Sequence, residues 1–413
     1  MTGFTFSSSG VTCDGVDPAA VATAEGTPLY VYSAALVVDR YRALDAALGA
    51  YPHKVHYALK ANSTLGLVRL LRSAGSAVDA NSGGEIEVAL RAGVDPGDIV
   101  FTGVGKSARE LEEAVRLGVG VINAESAGEL LRIDRIATAR GVRARVAVRI
   151  NPGIEADSHP GIVTGGAEHK FGVPIEDAGT VCRDAAGRNG LELVGVHAHV
   201  GSQLTSLDAV SRTASTIARF AQELCASGIA LQHVDLGGGL GISYDGNPAL
   251  AVTDYARTLV EAVAPTGLTL LVEPGRWIVG PAGALVAAVV DVKPQRSGRY
   301  FVVLDAGMSE LMRPALYGAK HRLERLTVRP GPDVTCDVVG PICETTDVIR
   351  LGQSMPLPEV GDLLLVRDAG AYGSAMASNY NRRAMPAEAL VEDGAWRMIR
   401  RRQTVDDLLA CES

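Results

Sequence analysis

The sequence predicts an α/β fold, a TIM-like (β/α)8 barrel followed by a C-terminal β-rich domain that forms a β-barrel or a sandwich. Between residues 51 and 275, short apolar runs alternate eight times with amphipathic, helix-like stretches, which is the number and spacing of a (β/α)8 barrel. After Pro281 the apolar runs continue without regular helices between them, which indicates a separate β-rich domain. An open, doubly wound sheet is the alternative to the barrel.

Each barrel strand is predicted from a β-branched run that ends in polar residues or glycine. In chain order the eight runs are Val55–Lys60, Ala77–Asn81, Ile99–Gly103, Gly120–Asn123, Ala144–Asn151, Leu193–Gly201, His233–Gly239 and Thr269–Gly275. Helical periodicity predicts intervening helices such as Leu65–Ala74, Glu85–Ala92 and Ala108–Leu117.

The β-rich domain is predicted from a second set of strand-like runs. They are Thr27–Tyr32, Ala284–Lys293, Tyr300–Asp305, Thr335–Gly340 and Asp362–Arg367. The stretch that follows, Asp368–Tyr380, is rich in Ala, Gly and Ser and is predicted to form a helix that begins at a functional loop. Residues 33–280 therefore form the predicted barrel domain, and residues 1–32 with 281–413 form the β-rich domain.

The composition predicts a soluble, cytoplasmic protein that binds a small molecule. The net charge of −8 and the pI near 5.6 argue against nucleic acid and anionic membranes as partners. None of the six cysteines forms a CxxC pair, so zinc-ribbon spacing is absent and no metal is expected. The N-terminal residues lack the pattern of a signal peptide, and apolar stretches such as Val279–Val292 are too short or too glycine-rich to span a bilayer.

Lys60 ends the first predicted strand, at the edge of the barrel where reactive groups cluster. A buried lysine requires a partner or a covalent role, because removing its charge from water is costly. Desolvation also lowers the pKa of a lysine, which makes Schiff-base chemistry accessible. A lysine held in a structural salt bridge is the alternative.

Three other strand ends carry groups that fit one ligand. Gly237–Gly239 follow the seventh strand, where this barrel usually binds phosphate, although a tight turn is the alternative. Glu273 ends the eighth strand and can bind a protonated pyridine nitrogen, or it can pair with Arg276 at the rim. Alternation places His197 and His199 on one face, where an imidazole can stack on a cofactor, join a metal site without an evident third ligand, or be a hydrogen-bonded barrel histidine. Together these groups predict a pyridoxal 5′-phosphate site.

A series of motifs extends this interpretation from about Thr27 to Val391. In order they are YALKAN at Lys60, HAHVGSQ around His199, DLGGGLG at Gly237–Gly239, EPGR at Glu273–Arg276, DAGMSELMRPALY ending in Tyr317, GPICETTD around Cys343 and GAYGSAMASNYNRR around Tyr372. With these motifs the chain resembles the fold-type III pyridoxal phosphate-dependent decarboxylases, and among them most of all the diaminopimelate decarboxylases.

The resemblance implies a role for each matching residue. Lys60 would form the Schiff base with pyridoxal 5′-phosphate, His199 would stack on its ring, and Glu273 would bind the ring nitrogen. Cys343 would protonate the substrate carbon after carbon dioxide leaves. The other residues that the resemblance places at the cofactor are Asp79, Glu85, Arg149, Ser202, Gly238, Gly239, Gly275, Arg276 and Tyr372.

The implied reaction is the decarboxylation of meso-2,6-diaminopimelate to L-lysine. The end of this substrate that does not react is a zwitterion, whose burial requires a cationic and an anionic partner. The residues implied there are Arg276, Arg313, Tyr317, Tyr372 and, for the ammonium group, Glu344. A surface arginine before a proline turn is the alternative for Arg313. Cys343, Glu344 and Tyr372 would come from the neighbouring subunit, which implies an obligate homodimer with shared sites.

Other functions stay open on the sequence alone. One is decarboxylation of another amino acid, free or carrier-linked, in a secondary pathway. A non-catalytic protein that binds pyridoxal phosphate is a second, although single-domain proteins of that kind lack the β-rich half and Cys343. An alanine racemase is a third, but it would pair the ring nitrogen with an arginine, whereas Glu273 strengthens the ring as an electron sink.

Overall fold

The computed structural model describes residues 2–7, 10–154, 169–199, 201–244, 246–247 and 249–412. The chain divides into two compact units. The first, called the β-rich unit below, consists of Met1–Asp39, Ser243–Pro248 and Ile278–Ser413. The second, called the barrel unit, consists of Arg40–Ile242 and Ala249–Trp277.

Eight parallel strands form a closed barrel in the barrel unit. They are His53–Ala58, Ala77–Ala80, Ile99–Phe101, Val121–Ala124, Ala144–Asn151, Leu191–His197, His233–Asp235 and Thr269–Val272. The eighth strand pairs in parallel with the first, for example at Leu271 and Lys54, and this pairing closes the sheet. The predicted barrel is confirmed, and the open, doubly wound sheet is wrong.

Helices alternate with the barrel strands. They are Leu65–Ala74, Gly83–Arg91, Ala108–Leu117, Ala127–Ala139, Ile175–Ala186, Leu207–Ala226 and Val252–Val263, with Ala34–Leu48 before the first strand and Arg276–Val279 after the eighth. Ser82, Ser107 and Ser126 cap three of them by accepting the backbone N–H of a glutamate three residues on. The helix predicted to begin at Glu85 therefore begins at Gly83, directly after its serine cap.

Several of the predicted strands run too far at their C-terminal ends, whereas the fifth ends at Asn151 as predicted and the fourth extends one residue further, to Ala124. The first strand ends at Ala58, the sixth at His197 and the seventh at Asp235. Beyond these points the chain turns, as in the 3-10 turn Leu59–Ala61 and at Gly237, where φ is +63°. Lys60, His199 and Glu273 therefore lie just past the strands, whereas Asp79 and Arg149 lie within them.

A second sheet, in the β-rich unit, is built around the strand Leu29–Ser33. This strand pairs antiparallel with Gly283–Pro294 and parallel with Ala387–Glu392, as expected for the run Thr27–Tyr32 predicted to join this domain. The other strands of the unit are Phe4–Ser7, Gly10–Cys13, Tyr300–Leu304, Leu323–Arg325, Asp333–Val339, Val348–Pro356, Leu363–Val366 and Ala395–Arg400, and its helices are Pro18–Glu25, Arg313–Tyr317 and Val405–Leu409. Val31, Val286 and Ala389 belong to its buried core.

The helix predicted over Asp368–Tyr380 is wrong. In this stretch the structure has a single short 3-10 turn, Ser374–Met376. Asp368 and Tyr372 have φ values of +57° and +56°, in the left-handed region that a right-handed helix excludes. In the part of the chain that the structure describes, no helix is long and apolar enough to cross a membrane.

Candidate active site

Lys60 lies in the turn that directly follows the first barrel strand. Tyr57 holds this turn by donating its hydroxyl to the carbonyl oxygen of Asn62 at 2.8 Å. The Lys60 amine donates to Oδ2 of Asp79 at 3.3 Å; the lysine side chain is 35% exposed, whereas Asp79 is fully buried. The salt bridge considered as an alternative is therefore present, and it still leaves the amine accessible to a ligand.

A chain of hydrogen bonds continues from Asp79 to Glu85. Asn81 donates its side-chain amide to Oδ1 of Asp79 at 2.9 Å and its backbone N–H to Oε2 of Glu85 at 2.6 Å. Burial, together with the charge of Glu273, raises the pKa of Asp79 even though Lys60 lowers it. Burial also raises the pKa of Glu85 to about 7. Glu85 therefore carries less negative charge near neutral pH than an exposed glutamate would.

Glu273 lies just past the eighth strand and is 4% exposed. Its Oε2 is 3.3 Å from Nε2 of His197, and its Oε1 accepts the hydroxyl of Thr102 at 3.5 Å. Burial by itself raises the pKa of Glu273, but the charge and hydrogen bond of His197, helped by the charge of Lys60, hold the pKa below its ordinary value. Glu273 is therefore a carboxylate at neutral pH, the form that keeps a bound ring nitrogen protonated.

The glycine run allows three strand ends to approach closely. A Cβ on Gly238 would lie 2.3 Å from the carbonyl oxygen of Glu273, and a Cβ on Gly239 would lie 2.7 Å from that of Gly201. The backbone N–H of Gly238 donates to Nδ1 of His199 at 3.2 Å. Burial, with the positive charges of Lys60 and Arg149, holds the pKa of His199 well below its ordinary value. His199 is thus a neutral, flat ring, the form suited to stacking.

Arg276 and Ser202 form a cationic corner next to this glycine run. The guanidinium of Arg276 donates to Oγ of Ser202 from Nη2 at 3.1 Å and from Nε at 3.3 Å, and Arg276 is 6% exposed. A Cβ on Gly275 would lie 2.8 Å from Cβ of Ala61, so a glycine there allows the Lys60 turn to pack against the eighth strand end. A buried guanidinium and a hydroxyl are groups that bind phosphate.

Arg149 is held by a buried acid, Glu125, that follows the neighbouring fourth strand. Its Nη1 donates to Oε1 of Glu125 at 2.6 Å, and its guanidinium lies over the ring of Phe171, 4.8 Å from the centroid. Lys106 and Glu129 form a second buried pair at 2.8 Å, and the charges of Glu125 and Arg149 both act on the pKa of Lys106. The contacts with Glu125 and Phe171 fix the position of Arg149, which stays buried.

The residues gathered in the barrel unit fit pyridoxal 5′-phosphate. Lys60 offers an accessible amine for the aldehyde, and Glu273 offers an ionised acid for the ring nitrogen. His199 offers a neutral ring, while Arg276 and Ser202 offer a phosphate-binding corner. Each part of the coenzyme thus meets a group of matching chemistry on this one unit.

Arg313 is buried in the β-rich unit, so the surface-arginine alternative is wrong. It is 5% exposed, its Nη1 lies 2.8 Å from Nε2 of His321, and its guanidinium lies over the ring of Tyr244 at 4.3 Å. Tyr317 ends the same short helix, and Tyr372 lies on the loop with left-handed backbone. The structure therefore gives Arg313 a fixed orientation within its own unit.

Cys343 and Glu344 are exposed in the β-rich unit. Tyr380 donates its hydroxyl to Oε1 of Glu344 at 2.8 Å, and the side-chain amide of Asn381 donates to Sγ of Cys343 at 3.5 Å. One loop of the same chain thus holds both side chains while leaving them open to solvent. Their role across a subunit interface stays a prediction.

Several site residues were missed by the sequence analysis. Asp235, Thr102 and Asn123 lie at strand ends and are buried, so an inspection of every strand end would have found them.

The two histidines of the HAHVGSQ motif lie in different surroundings from those predicted. Asp235 and Glu273 bring carboxylate oxygens, which can bind a metal, within 4.8 Å of His197, although the sequence suggested no third metal ligand. The sixth strand ends at His197, so strand alternation does not extend to His199. Val200 of the same motif lies outside the described residues.

Comparison with known proteins gives consistent results. Residues 34–280 match the family described as pyridoxal-dependent decarboxylase, pyridoxal binding domain. Diaminopimelate decarboxylase of Pseudomonas aeruginosa is 43% identical over 100% of this chain and 99% of its own length. The structure of the Helicobacter pylori diaminopimelate decarboxylase complexed with L-lysine has a TM-score of 0.92 and 40% identity, covering 96% of this chain and 99% of that one. The structure of the M. jannaschii diaminopimelate decarboxylase in co-complex with L-lysine has a TM-score of 0.94 and 33% identity. The match covers 100% of this chain and 99% of that one.

Proposed function

The chain belongs to the pyridoxal-dependent decarboxylases, and from this membership we infer that it converts meso-2,6-diaminopimelate to L-lysine and carbon dioxide. The observation that carries the inference is the combination of full-length similarity to diaminopimelate decarboxylases with an accessible lysine and an ionised acid in one barrel. Membership of a decarboxylase family excludes the two other hypotheses from the sequence, an alanine racemase and a non-catalytic protein that binds pyridoxal phosphate. The cytoplasmic location and the homodimer expected from the sequence are part of this proposal.

The barrel unit holds the coenzyme and keeps it reactive. Lys60 would hold the coenzyme through its amine, and Asp79, which accepts a hydrogen bond from that amine, would take part in proton transfers at Nζ. Glu273 would hold the ring nitrogen protonated, His199 would support the ring face, and the corner of Arg276 and Ser202 would bind the phosphate. When bound, the coenzyme supplies the electron sink that accepts the electron pair left by carbon dioxide.

The β-rich unit supplies the groups for the distal end of the substrate. Arg313 and Tyr317 would bind the distal carboxylate, and Glu344 would bind the distal ammonium. The fixed orientation of Arg313 against His321 supports this role, because a preorganised guanidinium loses little entropy on binding. A substrate without a distal carboxylate, such as ornithine, would lose this charge-assisted contact.

Cys343 donates the proton that replaces carbon dioxide. In the proposed homodimer Cys343, Glu344 and Tyr372 reach the barrel of the partner, so each dimer contains two shared sites. The exposure of Cys343 and Glu344 on a single chain supports this arrangement, since both groups are available to a second subunit.

The substrate is tested by carbon dioxide release from a panel of amino acids. We expect meso-2,6-diaminopimelate to be turned over with a kcat/KM at least about a hundredfold above that of ornithine, arginine or lysine, because those lack the distal zwitterion. Arg313→Met should remove most of this preference while Arg350→Met, a matched change at an arginine of the same unit, should leave it unchanged. A higher kcat/KM for another amino acid would contradict the proposed substrate.

The shared site is tested by mixing two inactive homodimers, Lys60→Ala and Cys343→Ala. After subunit exchange, half of the dimers carry one site with both residues intact, so roughly a quarter of the wild-type activity should return. Mixing either variant with itself is the control. Activity that stays at the level of the separate variants would show that both residues act within one chain.

A further inference from the structure

Glu273 is surrounded by polar side chains from strands far apart in the sequence. Thr102 follows the third strand, His197 ends the sixth and Asp235 ends the seventh. All three are buried, and each faces the carboxylate from a different side of the barrel interior. None of them has a role in the function proposed above, which uses only Glu273 from this group.

The contact between His197 and Glu273 has a defined direction. A carboxylate only accepts hydrogen bonds, so Nε2 of His197 carries the proton that bridges the 3.3 Å to Oε2. The side chains of His197 and Glu273 are 1% and 2% exposed, which prevents water from replacing the bond. Among the described residues, Nδ1 of His197 has no hydrogen-bond partner. The hydrogen bond of this ring is therefore the one from Nε2 to Glu273.

The second oxygen of Glu273 is also held. Oε1 accepts the hydroxyl of Thr102 at 3.5 Å, and Thr102 in turn accepts the side-chain amide of Asn123 at 3.0 Å. Because Asn123 is the donor in that contact, the single Thr102 proton is available to the acids that the hydroxyl faces, which are Glu273 and also Asp79. At 3.5 Å the Thr102 hydroxyl is therefore the weaker contact of the Glu273 carboxylate, and His197 is the main one.

Electrostatics distinguish Glu273 from the two acids beside it. Burial and the charge of Glu273 raise the pKa values of Asp79 and Asp235, whereas the pKa of Glu273 is lowered, chiefly because His197 outweighs its burial. The other charged or titratable groups that act on these acids are Lys60 and His199, at the first and sixth strand ends. His197 is therefore the main reason that the pKa of Glu273 is lowered while the pKa values of the two neighbouring acids are raised.

We propose that His197 is a positioning residue for the reaction: its Nε2–H, with Thr102 on the other oxygen, holds the Glu273 carboxylate in the orientation that binds the ring nitrogen of pyridoxal phosphate. This role rests on the proposed function of Glu273 and extends it by one residue. His197 itself does not touch the substrate. Its effect on the reaction passes through the ring nitrogen, whose protonation determines the strength of the electron sink.

The test measures the protonation of the ring nitrogen directly. The holoenzyme is loaded with pyridoxal phosphate that carries nitrogen-15 in the ring, and the nitrogen chemical shift is compared among variants. His197→Phe removes the donor and should move the shift towards that of neutral pyridine, whereas His197→Gln, which can place an N–H near the same point, should restore most of the wild-type shift. The value of kcat should fall about tenfold to a hundredfold in His197→Phe, with KM changed by less than about twofold.

His233→Phe is the matched control, because His233 is a buried barrel histidine and the same substitution there should leave the shift at its wild-type value. If His197→Phe does not fold, Thr102→Val removes the other contact and should cause a smaller shift in the same direction. A wild-type shift in both His197→Phe and Thr102→Val would overturn the proposal. A neutral ring nitrogen in the wild-type enzyme would instead contradict the role proposed for Glu273.

Discussion

Replacing Lys106 with methionine tests how strongly the buried ion pairs behind Arg149 stabilise the barrel unit. Nζ of Lys106 donates to Oε1 of Glu129 at 2.8 Å and to the carbonyl oxygens of Gly103 and Asn123 at 2.8 and 2.7 Å. The side chains of Lys106 and Glu129 are only 1% and 3% exposed. Lys106→Met therefore leaves a carboxylate and two carbonyl groups buried without their cation.

The expected loss follows from that burial. Removing one partner of a buried ion pair costs about 3–5 kcal/mol, because the other charge stays out of water uncompensated. Lys54→Met is the matched control: Lys54 pairs with Asp98, but the two side chains are 42% and 49% exposed, and such pairs contribute about 0–1 kcal/mol. Urea unfolding of the barrel unit is followed by the fluorescence of Trp277, buried in that unit, after Trp396 of the β-rich unit is changed to Phe.

A double variant shows whether the uncompensated charge is the cause. Lys106→Met with Glu129→Met removes both charges and should recover at least about 2 kcal/mol relative to Lys106→Met, because apolar replacement of a buried pair is often close to neutral. Full recovery is not expected, since Oε2 of Glu129 also accepts the backbone N–H of Glu125 at 3.2 Å. The reasoning is refuted if Lys106→Met costs no more than Lys54→Met, or if the double variant is no more stable than Lys106→Met.

Two further predictions concern the coenzyme site and pH. Gly238→Ala places a Cβ 2.3 Å from the Glu273 carbonyl oxygen and should weaken pyridoxal phosphate binding about tenfold or more in an equilibrium titration. Gly105→Ala is the control and should leave the affinity unchanged, because a Cβ there meets nothing within 4 Å. Equal affinities of the two variants for pyridoxal phosphate would contradict this prediction. Because burial raises the pKa of Glu85 from 4.5 to about 7, the folded state binds this proton more tightly than the unfolded state, so wild-type stability falls relative to Glu85→Gln as pH rises through that window, by at most about 1.4 kcal/mol per pH unit. If the urea midpoints of the wild-type protein and Glu85→Gln change in parallel between about pH 5 and pH 8, the pKa of Glu85 is not raised on folding.

The sequence contained enough information to predict the barrel and the chemical identity of its main groups. The alternation of apolar runs is a local property, so the eight strands and the position of Lys60 and Glu273 near their ends could be read directly. The exact strand ends could not, because they depend on the turn at Leu59–Ala61 and on left-handed backbone at Gly237. The helix expected at Asp368–Tyr380 failed for the same reason: the left-handed φ of Tyr372 is imposed by its surroundings.

Periodicity and residue type are encoded along the chain, and for this protein they determined the fold class, the lysine and the acid. The ionisation of that acid was decided by the tertiary structure. Glu273 is separated from His197 by 76 positions in the sequence and from Thr102 by 171, yet both contact its carboxylate. Charge interactions act through space and strengthen where water is excluded, so closure of the barrel, which brings these strand ends together, lowers the pKa of Glu273 while the pKa values of Asp79 and Asp235 are raised.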